Sequence, residues 1–152
     1  MAQNFSLHFL LHSANLVEDE LRRRLALIDV RPRQARILDA LSHIEPASQI
    51  GVARAFNLTP ASMSTMTARL IEAGLITREI DPTEARSNLL RLTDRGRSKL
   101  SDIHQTWREI DVLIAEKIGH EAAASLATLT RGLRDALGGS APHEQAASAV
   151  KS

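Results

Sequence analysis

The chain contains no cysteine and no tyrosine. Without thiols there are no disulfides, no cysteine-ligated zinc and no thiol redox switch. Aromatic residues make up 3% of the chain, with a single Trp, which argues against a stacking platform for single-stranded nucleic acid. No apolar run approaches the ~18–20 residues of a membrane span, and no secretory signal pattern opens the chain. A soluble, cytoplasmic protein is therefore expected. Also missing are a Gly-rich phosphate loop after a strand, a nucleophile elbow and a metalloprotease helix. Neither enzymatic turnover nor a cofactor is expected.

The 152 residues, 43% of them hydrophobic, suffice for one domain with a real core. The net charge is only +1 but unevenly spread. Residues 1–47 hold six basic and six acidic side chains, residues 48–100 eight and five, and residues 101–152 five and seven. The positive excess falls on the middle third, as attraction to phosphate requires.

That middle third organises the chain. Ser48 is placed to cap a short helix over 48–56, with Ile50, Val52, Ala53 and Phe56 inward and Arg54 outward, toward phosphates. Gly51 is a weak point in it. Asn57-Leu58-Thr59-Pro60 then reads as a turn, Thr59 capping and Pro60 opening a second helix over 60–73 that Gly74 closes. Met63, Met66, Leu70 and Ile71 form its buried stripe. The opposite face carries Ala61, Ser62, Ser64, Thr65, Ala68 and Arg69, small or hydroxylated groups with one guanidinium. Such a face fits the major groove of DNA, although an ordinary solvated face has the same composition. Two strand-like runs follow, 75–80 and 87–93, around Asp81-Pro82-Thr83-Glu84-Ala85-Arg86. Arg86 at this tip suits a narrow minor groove; alternatively it pairs with Asp81 or Glu84. Helix, turn, helix and hairpin make a winged helix-turn-helix.

Around this reader lie long helical patterns. Residues 5–28 are apolar on most sides in their first half, through Phe5, Phe9, Leu10 and Leu11, which calls for a partner surface. Arg22, Arg23 and Arg24 either clamp phosphate or pair with Glu18, Asp19 and Glu20 at helical spacing. A helix over 32–44 buries Ile37, Leu38 and Leu41, and residues 45–47 read as loop. Thr93 caps a helix over 94–118, with Ile103, Trp107, Ile110, Leu113, Ile114 and Ile118 on its apolar side. A last helix spans 121–137. Residues 138–152 are small and polar, a loosely ordered tail. The fold class is all-α with a small β-hairpin wing, a reader lobe at 30–98 and dimerisation helices at 5–28 and 100–137.

The run AGLITREIDPTEARSNLLRLTDRGRSKL resembles the MarR family of bacterial transcription regulators. Gly74-Leu75-Ile76, Asp81-Pro82, Glu84-Ala85-Arg86-Ser87, Leu90-Arg91-Leu92-Thr93 and Gly96 occupy the places of that family's wing pattern. Glu84 stands where Asp is commoner, and Ala85 where a second Arg is frequent. The likeness extends over roughly residues 5–138. It implies a homodimer whose terminal helices interlock, a pseudo-palindromic double-stranded operator, and a repressor released by a small aromatic or carboxylate effector. DNA contacts would come from Arg54, Thr59, Ala61, Ser62, Ser64, Thr65, Ala68, Arg69, Arg86 and Ser87. His12, Asn15, Arg36, His43 and Trp107 are candidates for the effector crevice. Some members bind zinc near the positions of His43 and His104, and His8 and His12 lie one helical turn apart. Without cysteine, and with only one His in the relevant turn of the second helix, no metal is expected. A winged-helix interaction module without DNA contact is the alternative function.

Overall fold

Three helix starts in the computed structural model, which describes residues 5–84, 86–141 and 144, fall where the capping chemistry puts them. The helices are α1 (Ser6–Ala26), α2 (Pro32–Ile44), α3 (Gln49–Ala55), α4 (Pro60–Glu72), α5 (Asp94–Ile118) and α6 (His120–Ala136). The strands are β1 (Ala47–Ser48), β2 (Ile76–Ile80) and β3 (Asn88–Leu92). Most of the tail expected to be loosely ordered lies outside the described residues.

α1 stops two residues earlier than its apolar pattern suggested. Asp29 adopts φ 56°, and the Val30 N–H returns to the Leu25 carbonyl at 3.1 Å, closing the helix end. Pro32 then opens α2. Ser48 Oγ accepts the Gly51 N–H at 2.9 Å. Gly51, expected as a weak point, also leaves room for this cap. A Cβ there would lie 2.8 Å from the capping Ser48 oxygen. Gly74, at φ 74°, ends α4 in the left-handed region.

The sheet is one strand larger than the expected hairpin. Its order is β1-β3-β2, antiparallel throughout. The wing pairs Ile76 with Leu92 through to Ile80 with Asn88. β1 lies on the other side of β3, Ala47 opposite Leu90 and Ser48 opposite Leu89. Glu45, just before β1, accepts the Leu92 N–H at 2.6 Å and pairs with Arg97. The segment read as loop therefore ties α2 to the wing.

Ile37, Leu38 and Leu41 of α2 are fully buried, with Met63 and Leu70 of α4, Leu90 of β3 and Ile103 of α5. Ile50, expected inward, is 52% exposed, because the first turn of α3 rotates it away from Val52 and Ala53. At the other end of the chain the pattern inverts. α6 buries no residue, and α1 buries only Leu25. Phe5, Phe9, Leu10 and Leu11, with Leu126, Leu129 and Leu133, stand exposed on the single chain.

One crossing sets the angle between the end of α4 and the long helix α5. Thr93 Oγ1 donates to the Gly74 carbonyl at 2.6 Å and accepts the Gly96 N–H at 2.9 Å. The Thr93 N–H bonds the Leu75 carbonyl at 3.1 Å. A Cβ on Gly96 would lie 2.0 Å from that same carbonyl oxygen. Gly96→Ala should therefore lower stability by about 3 kcal/mol or more, since backbone cannot yield as a side chain does. Urea titration followed by circular dichroism measures it, and a variant as stable as the parent would show that the crossing can open.

Candidate nucleic-acid interface

α4 owes its entry to two neighbouring residues. Thr59 Oγ1 accepts the Ser62 N–H at 3.1 Å, and Pro60 fills the first helical position. The turn before it is closed by the Leu58 N–H on the Ala53 carbonyl at 2.8 Å, with Asn57 at φ 52°. Asparagine tolerates that conformation well. α3 and α4 are thereby held as a helix-turn-helix.

Met63, Thr67 and Leu70 turn into the core, and Met66 and Ile71 are half-buried beside them. Ala61, Ser62, Ser64, Thr65, Ala68 and Arg69 are all exposed, the face expected from the sequence. Their hydroxyls are not equivalent. The Thr65 hydroxyl donates to the Ala61 carbonyl at 3.1 Å, so its oxygen is left to accept. Ser62 Oγ accepts from Thr59 Oγ1 at 2.9 Å and keeps its own hydrogen to donate. Ser64 Oγ lies 3.4 Å from the donating amide of Gln49, a residue that the sequence reading passed over. Its side chain crosses from the start of α3, and only the α3–α4 packing reveals it.

The hairpin turn is built on Asp81. Its carboxylate accepts the Thr83 hydroxyl at 2.6 Å and the Thr83 N–H at 2.8 Å. These bonds, the hydroxyl first, hold its carboxyl below the ordinary range. Asp81 is thus occupied locally, and no ion pair to Arg86 forms among the described residues. Arg86 instead lines a cavity of about 450 Å³ with Arg54, Ser64, Gln49 and Asn88. Two guanidiniums from α3 and the wing therefore flank the start of α4. Ser87, expected at the interface, is 4% exposed. Its N–H and carbonyl close the turn on Glu84 and Asp81 at 2.8 and 2.9 Å, so it serves the hairpin rather than the surface.

A second cavity, of about 900 Å³, lies where α1, α2, α5 and α6 converge. Val17, Leu21 and Ile114 give it apolar walls, and Arg33, Arg36, Glu18 and Asp111 are its charged groups. Of the five effector candidates, only Arg36 lines it. Its guanidinium also sits 5.7 Å from the centroid of Phe56, at the end of α3. His12 and Asn15 are exposed elsewhere on α1. His43 bonds the Asp39 carbonyl at 2.8 Å. Trp107 packs half-buried beside His104, whose ring nitrogen lies 2.8 Å from the Asp39 carboxylate. Among the described residues no three His, Asp or Glu side chains converge to hold a metal ion. Nor is any helix there long and apolar enough to cross a membrane. Arg22, Arg23 and Arg24 are paired, Arg22 with Asp19 at 2.8 Å and Arg24 with Glu20 at 2.7 Å and Glu109 at 3.5 Å.

A helix-turn-helix followed by a wing defines a winged-helix protein. Residues 28–87 match the model of the MarR family. The matched segment takes in α2, β1, α3, α4 and β2. The transcriptional repressor CouR, solved bound to a 23-mer DNA duplex, superposes with a TM-score of 0.77 at 21% identity, over 85% of this chain and 92% of that one. A MarR-family transcriptional regulator from Rhodococcus sp. RHA1 gives 0.71 at 25% identity, covering 90% and 94%. PcaV from Streptomyces coelicolor, solved with its natural ligand, gives 0.69 at 21%, covering 90% and 99%. A search of curated proteins finds no match.

The cap on α4 can be tested apart from any ligand. Thr59→Ala should cost about 1 kcal/mol of stability, the usual worth of an N-cap hydroxyl, and Thr59→Ser should retain it. Equal denaturation midpoints for all three proteins would mean that α4 is held by packing alone.

Proposed function

We propose that the chain is a homodimeric regulator that binds double-stranded operator DNA, acting as a repressor released by a small effector. The observation that carries this is the exposed face of α4. It offers Ser62, Ser64, Thr65 and Arg69, with the guanidiniums of Arg54 and Arg86 beside its start and in no ion pair among the described residues. Polar groups of that kind read base edges in a major groove, and the flanking cations meet phosphates. The position of Arg86 beside Arg54 favours a phosphate contact over deep insertion in the minor groove. Ile50, exposed at the edge of this face, suits a thymine methyl. An interaction module without DNA contact would require a broader apolar patch than this one side chain supplies. The DNA-bound CouR and the ligand-bound PcaV lend support by likeness of fold.

The apolar faces of α1 and α6 support a dimer. A symmetric pair would cover Phe9, Leu11 and Leu129 together and set two readers on successive turns of one groove. The domain division follows, with a reader lobe at 30–98 and dimerisation helices at 5–28 and 100–137. The 900 Å³ cavity is the effector site this reading assigns. Its aliphatic walls accept an aromatic ring, and Arg33 and Arg36 can hold a carboxylate. Drawing Arg36 toward a ligand would disturb its contact with Phe56 at the helix-turn-helix, which couples cavity to reader.

The test begins with selection of a binding duplex from random DNA by the full-length protein, followed by titration at several salt concentrations. Arg86→Ala should weaken binding and shrink the slope of log K against log salt by about 0.9 per subunit, one phosphate's worth. Thr65→Ala should instead relax preference at one base pair per half-site, by about 1–3 kcal/mol. Failure to enrich any duplex would overturn the reading. The dimer is tested separately. Leu129→Glu should yield monomers or unfolded chains in sedimentation, and a monomeric parent would end that part of the proposal.

A further inference from the structure

A third cavity, of about 690 Å³, lies at the corner between α1 and α2 and reaches the last turn of α4. Arg22, Arg31, Arg69 and Asp29 are its charged lining residues, with Gln34 beside them. Three guanidiniums therefore face one carboxylate in a single depression. Arg22 is already tied back to Asp19 and Glu18. Arg31 and Arg69 are exposed, and among the described residues neither has an ion pair. α2 also opens without an acidic residue in its first turn, so Asp29 is the one carboxylate lining the depression beside Arg31. Such a corner holds positive charge that the fold itself does not use.

We infer that this corner is a separate phosphate seat, in which Arg31 holds a backbone phosphate of the DNA whose bases α4 reads. The inference rests on the proposed function, because Arg69 is what connects the two. It projects from the outward face of α4 and lines this cavity as well. A duplex brought against Ser62 and Thr65 carries its sugar–phosphate chain along the α4 end where Arg69 and Arg31 stand. The Arg54–Arg86 pair lies at the opposite end of α4, near Pro60. The reader thus grips the backbone on both sides of the groove. Arg31 fixes position and adds no base information. Asp29 acts against it, trimming affinity by facing the same phosphate.

That opposition supplies the test. The probe is the duplex selected by the full-length protein, titrated across salt concentrations beside an unrelated duplex of equal length. Arg31→Ala should weaken binding several-fold to both duplexes, leave their ratio unchanged, and reduce the salt slope by about 0.9 per subunit. Asp29→Asn should do the reverse, tightening binding to both, and asparagine keeps the left-handed backbone at that position. Arg31→Lys should retain most of the affinity, since a phosphate needs the charge. A neutral methylphosphonate at the contacted phosphate should erase the difference between parent and Arg31→Ala.

If the parent binds the selected duplex and Arg31→Ala leaves affinity and slope unchanged, the corner is not a DNA contact. A changed ratio between the two duplexes would equally overturn the inference, since it would make Arg31 a base reader. If the parent enriches no duplex at all, it is the DNA-binding reading that fails. Thermal melts of each variant separate these results from misfolding, and Asp29→Asn keeps the test open if Arg31→Ala is unstable.

Discussion

The contact on which the arrangement depends is the crossing of Gly74-Leu75 over the first turn of α5. Thr93 holds it with three hydrogen bonds, its hydroxyl to the Gly74 carbonyl and the Gly96 N–H, its own N–H to the Leu75 carbonyl. The absence of a side chain at Gly96 lets the carbonyl come close. The end of α4 and the start of α5 are therefore one rigid joint. Any movement of the long helix is delivered to α4 through backbone rather than through flexible side chains. Glu45 braces the same joint from the other side, accepting the Leu92 N–H and pairing with Arg97 at the start of α5.

The elements legible in the sequence were those whose cause is local. Thr59-Pro60, Ser48 and Thr93 each cap within three residues, so the starts of α3, α4 and α5 could be read directly. The stripe Met63, Met66, Leu70 and Ile71 set which face of α4 is exposed. The features that escaped depend on distant partners. β1 has two residues, too short for any periodicity, and exists because Leu89 and Leu90 pass beside it. Ile50 sits on an amphipathic pattern of seven residues, too short to fix the rotation of α3. Ser87 looked like a wing-tip hydroxyl, but its backbone closes the Asp81 turn and buries it. Arg33 and Asp111 line the large cavity because four helices converge there, and no spacing rule connects them.

Charge and apolar surface are separated in this chain, and each points to a different kind of partner. Among the cations of the middle third, Arg91 and Arg97 are paired with Glu79 and Glu45, whereas Arg54, Arg69 and Arg86 form no ion pair among the described residues. Those of α1 are tied into pairs with Glu18, Asp19, Glu20 and, across to α5, Glu109. Paired surface charges contribute little either to stability or to attraction for DNA. What α1 and α6 have in excess is aliphatic surface, which a second copy can cover and phosphate cannot.

The segment Arg31-Pro32-Arg33 joins these two halves. Pro32 lines both the large cavity and the basic corner, with Arg33 turned to the first and Arg31 to the second. Proline at the first helical position fixes φ there, which limits how far the backbone at one arginine can turn relative to the other. Arg36, one turn further, lines the large cavity and stacks on Phe56 at the end of α3. A carboxylate drawing Arg33 and Arg36 inward would therefore act on α2 as a unit. It would shift Arg31 relative to Arg69 at one end of the reader and Phe56 at the other. Coupling of that kind requires only that the occupied cavity prefer a different seating of α2 from the one that DNA prefers. On the proposed function, the short basic start of α2 is where an effector and an operator would compete.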